Sequence, residues 1–162
     1  MAHQRQTIRE AVKTALVDAS TAAGSRVYES RVSAHRRLRL PAIAIYTMEE
    51  VCDDRKTAPR VLKRDLTLAI EGAVKLAADV DDAMDSLADE IEVAMHADPT
   101  FGGVMADSVL TSTAIDIAEE GDQPIGVIRL DYRVTYYTDA PDESDVVLDD
   151  LEGIDGTMDH EL

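Results

Sequence analysis

Tryptophan is absent from this 162-residue chain, phenylalanine occurs once, and aromatic residues make up 4%. A core built from such a chain is aliphatic, made of Ile, Leu, Val, Ala and Met. A single cysteine, Cys52, excludes an internal disulfide framework. It stands among Glu49, Glu50, Asp53 and Asp54 and reads as an ordinary thiol, in keeping with a reducing environment. No apolar run approaches the roughly 20 residues that a membrane span needs. The first residues show no apolar stretch of the secretory kind, so no membrane association is expected.

Signatures of catalysis are missing too. His3, His35, His96 and His160 are scattered, with no His-x-Glu, His-x-x-x-His or Cys-x-x-Cys pattern. There is no Gly-x-Ser-x-Gly elbow, no Gly-x-Gly-x-x-Gly and no phosphate loop. Asp79, Asp81 and Glu90 match three positions of a calcium-loop spacing, but Met84 stands where that loop requires glycine. They read instead as the acidic start of a helix, where the macrodipole favours anions. The ending Asp159-His-Glu-Leu162 imitates a retention signal and, with no signal peptide in view, reads as coincidence. No catalytic residue, metal or cofactor is expected, and the chain is expected not to be an enzyme.

Positive charge is scarce. Sixteen Lys and Arg face 33 Asp and Glu, for a formal net charge of -17. Residues 139–162 hold ten of the acids and no Lys or Arg, which leaves a net charge of -7 on residues 1–138. A body of this sign repels phosphates and will not bind nucleic acid over its whole surface. The division predicts a domain over 1–138 and an acidic, flexible tail over 139–162, whose scattered Val and Leu could fold on a partner.

What is present is hydrophobic periodicity. Thr7-Ile-Arg-Glu10 matches a capping box, with Thr7 as N-cap. Ile8, Val12, Ala15, Leu16, Ala19 and Ala23 follow helical spacing, and Gly24 suits a left-handed helix end. Residues 25–40 read as a connector carrying five arginines (Arg26, Arg31, Arg36, Arg37, Arg39), with Val27-Tyr28 as a short extended piece. Pro41–Thr47 reads as a strand. Residues 48–61 lack a period and read as a long exposed loop. Leu62–Val74 alternates as a strand, its apolar face broken only by Arg64. A second helix is expected from Val80 to His96, with Met84, Leu87, Ala88, Ile91 and Met95 in one stripe. Val109, Thr111, Thr113, Ile115 and Ile117 share a face in a further strand. Gly121-Asp-Gln-Pro124 supplies a turn into the last strand, Ile128–Thr138. The order implies an α+β fold, a mostly antiparallel or mixed sheet with two helices packed on one face.

These segments together resemble the phage tail terminator family, of the lambda minor tail protein U type. The resemblance covers about residues 5–138. It rests on the helix ending near Val27-Tyr28, the Leu-Pro-Ala-Ile-Ala-Ile-Tyr strand Leu40–Tyr46, the strand Asp65–Glu71, the helix Asp81–Met95 and the closing Leu-x-Tyr-x-Val-x-Tyr strand Leu130–Tyr136. The acidic tail departs from the family's short ending. The resemblance implies a virion protein at the head-proximal end of the tail, assembled in the host cytoplasm. It implies a homo-hexameric ring that caps the tail tube protein, stops its polymerisation and offers a docking surface to a head-completion or connector protein. DNA would pass through the lumen without specific binding.

The family supplies no catalytic or cofactor-binding residue. Charge adds an expectation of its own: an arginine patch on one copy meeting acids on the next. The candidate interface residues are Arg31, Arg36, Arg37 and Arg39 of the connector, with Glu49, Glu50, Asp53, Asp54 and Arg55 of the charged loop. Two other readings stay open: a head-tail joining or neck protein, and an acidic inhibitor that mimics DNA.

Overall fold

The computed structural model describes residues 2–30, 39–120 and 123–140. Along them run α1 (Gln4–Asp18), β1 (Val27–Tyr28), β2 (Ala42–Thr57), β3 (Arg60–Lys75), α2 (Val80–Ala97), β4 (Asp107–Glu120) and β5 (Gln123–Asp139). The strands form one sheet in the order β1-β2-β3-β5-β4. β1 pairs with β2 in parallel and every other pair is antiparallel, so the sheet is mixed, as expected.

Both helices lie on one face. α1 buries Ile8, Val12 and Leu16 and packs on β1, β2 and α2. α2 buries the five residues of its stripe and packs on β3 and β5. Beneath them the sheet presents Ile43 and Ile45 of β2, Leu66, Leu68 and Ile70 of β3, and Ile128, Leu130, Tyr132, Val134 and Tyr136 of β5, all buried. Alternation sends Ala42, Ala44, Ala69 and Ala73 to the opposite face. That face is roofed by polar contacts such as the Tyr46 hydroxyl donating to Glu71 at 3.0 Å and Thr135 donating to Asp65 at 2.6 Å.

Two glycines set how closely α2 approaches the sheet. A Cβ on Gly72 would stand 2.7 Å from Leu87 Cδ2, and one on Gly126 would stand 2.6 Å from Val80 Cγ2. A methyl group at either place would force the facing side chain of α2 to shift. Glu90 of α2 accepts from the backbone amide of Ala22, in the turn after α1, at 2.7 Å.

Several sequence expectations are corrected. The first helix starts at Gln4, not after Thr7. His3 is the N-cap, its ring accepting from the Arg5 amide at 3.2 Å, and Glu10 accepts from Gln6 at 2.9 Å. Gln4, Arg5 and Gln6 favour helix and extend it by most of a turn. The helix ends at Asp18, and Gly24 takes its left-handed conformation (φ 58°) in a later turn. Residues 48–61 are not a loop: β2 runs to Thr57, Ala58-Pro59 makes the turn, and β3 begins at Arg60. Residues 51–60 are exposed throughout, so no burial pattern marks that hairpin in the sequence. In β4 a register shift between Leu110 and Ser112 inserts one residue. Val109 therefore faces opposite to Thr113, Ile115 and Ile117, because a bulge flips every side chain beyond it.

Candidate functional site

Where the helices stop, the sheet continues. β2 and β3 extend as an antiparallel hairpin to Thr57 and Arg60, and β5 accompanies β3 as far as Asp139, opposite Val61. The result is a three-stranded arm with water on both faces. A bare two-stranded hairpin is marginal in water; the third strand gives this one its support. The arm's last backbone bond runs from Ala140 N to Arg60 O at 3.0 Å.

A carboxylate anchors the arm at its base. Glu50, just past a bulge in β2, turns its side chain under the helix layer, where it is 8% exposed. It accepts from Arg64 Nη1 of β3 at 2.7 Å, from Arg5 of α1 at 3.4 Å and from the Tyr136 hydroxyl of β5. Arg64 also donates to Thr138 Oγ1 at 2.8 Å. Four elements thus meet on one side chain. Burial alone would raise the Glu50 carboxyl, but the hydrogen bonds from Tyr136 and Arg64 and the nearby guanidinium charges outweigh it and hold it below the usual range. Burial, then the Glu50 carboxylate, pushes the Tyr136 phenol up.

The sheet has two long open edges among the described residues. β1 pairs with β2 at Ile43 and Ala44, and among the described residues no strand pairs with the outer side of β2 from Met48 to the arm tip. On the other side β4 is the terminal strand. From Thr111 to Ile117 it is exposed on both faces, with Ile115 at 58%. Unpaired edges of this length are sites for strand pairing with another chain.

Beside β4 lies a groove of about 800 Å³, between the second half of α2 and the first residues of β4. Leu110, Met95 and Tyr132 contribute its apolar lining, and Val93 adds an aliphatic side chain that is 63% exposed. Asp89, Glu92 and Asp107 also line it. Burial, with the Glu92 charge behind it, pushes the Tyr132 phenol up.

The expected interface residues are distributed unevenly. Arg31, Arg36 and Arg37 lie outside the described residues. Arg39 is exposed just before β2. Glu49, Asp53, Asp54 and Arg55 are exposed on the arm rather than on a loop, and Asp54 pairs with Arg60 at 3.3 Å. Glu50 points inward and is occupied within the subunit. Arg26 is occupied as well, donating to Pro41 O at 2.7 Å and Ala22 O at 3.0 Å. Sequence reasoning missed Arg5, Arg64 and Tyr136 as a unit, although Arg64 was visible as the one charge on an apolar strand face. It also missed the groove, whose signal was Val93, an aliphatic residue off the buried stripe of α2. Among the described residues no His, Cys, Asp or Glu cluster could hold a metal ion. No helix among them is long and apolar enough to cross a membrane.

No family model and no curated protein sequence matches the chain. Among solved structures it is similar to a chain from the virion of a native gene transfer agent particle. The TM-score is 0.37 at 12% identity, over 79% of this chain and 94% of that one. At that score and identity the likeness is slight, and no part of the functional reading rests on it.

Proposed function

We propose that this protein is a structural virion protein that caps a phage tail tube as a homo-hexameric ring. In this reading it ends tube polymerisation and gives a head-completion or connector protein its docking surface. It acts at the head-proximal end of the tail after assembly in the host cytoplasm. The observation that carries the reading is that, among the described residues, the sheet is left open at opposite edges, along β4 and along β2 beyond Thr47, where β2 is prolonged into an arm. Unlike surfaces on opposite sides favour head-to-tail contacts, and such contacts close into rings when the rotation allows. The segments that resemble the tail terminators fall on β2, β3, α2 and β5, which form the centre of the sheet and its helical cover.

The function is mechanical. Residues 1–138 are the assembling body, which β5 carries on to Asp139, and the rest of the chain adds a segment rich in acids. Arg39 with Glu49, Asp53, Asp54 and Arg55 belongs to the subunit or tube contacts, as do Arg31, Arg36 and Arg37 of the connector. A net charge of -17 suits a lumen through which DNA passes without sticking. The test is to add the protein to polymerising tail-tube protein. Shorter tubes with a ring at one end support the reading. Tubes of unchanged length with bare ends reject it, and binding to head connectors instead moves the protein to the neck.

One observation favours a different class. The exposed side of α2 carries Asp81, Asp82, Asp85, Asp89 and Glu92, a regular row of charges that a DNA-binding enzyme could mistake for phosphates. Competition with DNA for a nuclease tests that reading, and an unaffected nuclease removes it.

A further inference from the structure

Within an acidic protein, the arm is a local exception. Residues 51–60 carry three cations, Arg55, Lys56 and Arg60, against two acids, and all ten are exposed. Val51 stands on the same hairpin with 56% of its surface in water. A cationic tip with an exposed aliphatic side chain nearer its base, opposite Asp65, suits a partner surface that is apolar with an acidic border. The α2–β4 groove has that character: Val93 and Leu110 in its lining, with Asp89, Glu92 and Asp107. Lys and Arg are absent from its lining. The arm leaves the sheet from β2 and β3, whereas the groove lies beside β4, the far strand.

We infer that the arm of one copy docks in the α2–β4 groove of the next, with Arg55, Lys56 and Arg60 facing Asp89, Glu92 and Asp107. This deepens the ring reading and rests on it. The two surfaces are complementary in charge and share an apolar component, while like meets like poorly in either case. Two arms, each with an excess of one positive charge and with Arg60 already paired to Asp54, gain no charge complementarity from each other, and two grooves repel through their acids. The contact is therefore head-to-tail rather than two-fold, the arrangement that closes into a ring. Opposite charges across such a contact also fix register and suppress wrong pairings.

The experiment uses the full chain in three charge variants, with circular dichroism to establish folding and light scattering to measure assembly, alone and with tail-tube protein. Arg55→Glu with Lys56→Glu reverses the arm. Asp89→Lys with Glu92→Lys reverses the groove. The third variant carries all four changes, so that each interface is again complementary. Each two-site variant is expected to raise the concentration needed for assembly by roughly tenfold or more, and the four-site variant to recover most of that loss. Recovery separates a contact from a folding defect. Assembly unchanged in both two-site variants overturns the arm–groove contact and leaves the ring standing. Losses that the four-site variant fails to recover also overturn it. If the unchanged protein forms no ring under either condition, the ring reading falls first and the contact with it.

Discussion

Glu50 and Arg64 meet across the β2–β3 hairpin at 2.7 Å, at the place where the helix layer ends and the arm begins. Their side chains are 8% and 18% exposed, so solvent does little to screen the pair. Tyr136 and Arg5 complete the cluster from β5 and α1. The pair fixes where the arm leaves the body, and so links the folding of a subunit to the position of its projecting surface.

Removing the carboxylate takes the charged acceptor from Arg64 Nη1 and the acceptor from the Tyr136 phenol, leaving Arg64 its bond to Thr138. Glu50→Ala is expected to lower stability in urea by about 1–3 kcal/mol, the penalty for leaving buried partners unsatisfied. Its neighbour Glu49 is exposed, and Glu49→Ala is expected to stay within about 0.5 kcal/mol of the unchanged protein. Equal effects at the two positions would contradict the anchoring role.

Acid dissociates the same cluster. The Glu50 carboxyl lies below its usual range because Tyr136, Arg64 and Arg5 outweigh its burial. Asp65 lies below it through hydrogen bonds from Lys63 and Thr135. A depressed carboxylate stabilises the fold above its unfolded-state value, about 4 for these groups, and that contribution is lost as pH falls through the folded-state value. Stability should therefore hold at neutral pH and decline below about pH 4. The gap between the unchanged protein and Glu50→Gln should narrow over that same interval. A gap that stays constant with pH contradicts the assignment.

Close approach at Gly72 gives a prediction with a built-in control. Gly72→Ala presses a methyl group onto Leu87 and is expected to cost about 1–3 kcal/mol by overpacking. Leu87→Ala opens a cavity beneath α2 and is expected to cost about 2–5 kcal/mol. The double variant should be more stable than the sum of the two losses implies, because the added methyl occupies part of the space that the leucine vacates. Strict additivity in urea denaturation would show that the two residues do not share that space.

Chain ending offers a fourth test. β5 pairs through Asp139, and Ala140 N bonds to Arg60 O. A protein ending at Ala140 keeps both features and is expected to melt within a few degrees of the full chain and to assemble as it does. A protein ending at Thr138 is expected to fold and assemble as well. It should do so with a looser arm tip, read as faster amide exchange at residues 60–61. Loss of assembly in both truncations would make the acidic tail part of the interface.

How much of this was legible in the sequence depends on burial. The stripe of α2 was readable because that helix has one wet side and one dry side, and the strand of Leu66, Leu68 and Ile70 because the polar Asp65, Thr67 and Glu71 stand on its other face. The hairpin from Met48 to Val61 was not, since both faces of the arm are wet and period two carries no apolar signal there. Pro59 sits in the tight turn at the tip. The bulge in β4 was hidden because one inserted residue leaves the composition unchanged while moving Val109 to the other face. Glu50 was visible as an acid in a charged run, but its partners come from residues 5, 64 and 136, and no local pattern joins those positions. The candidate surfaces were legible as charge and not as shape: the arginines and acids were seen, the groove that receives them was not.

The central claim is that this chain closes into a ring. The most direct measurement is its mass in solution by light scattering, over a concentration series and with added tail-tube protein. The account predicts six copies in a closed particle, alone or on tube ends. A monomer at every concentration that also ignores tubes would contradict it.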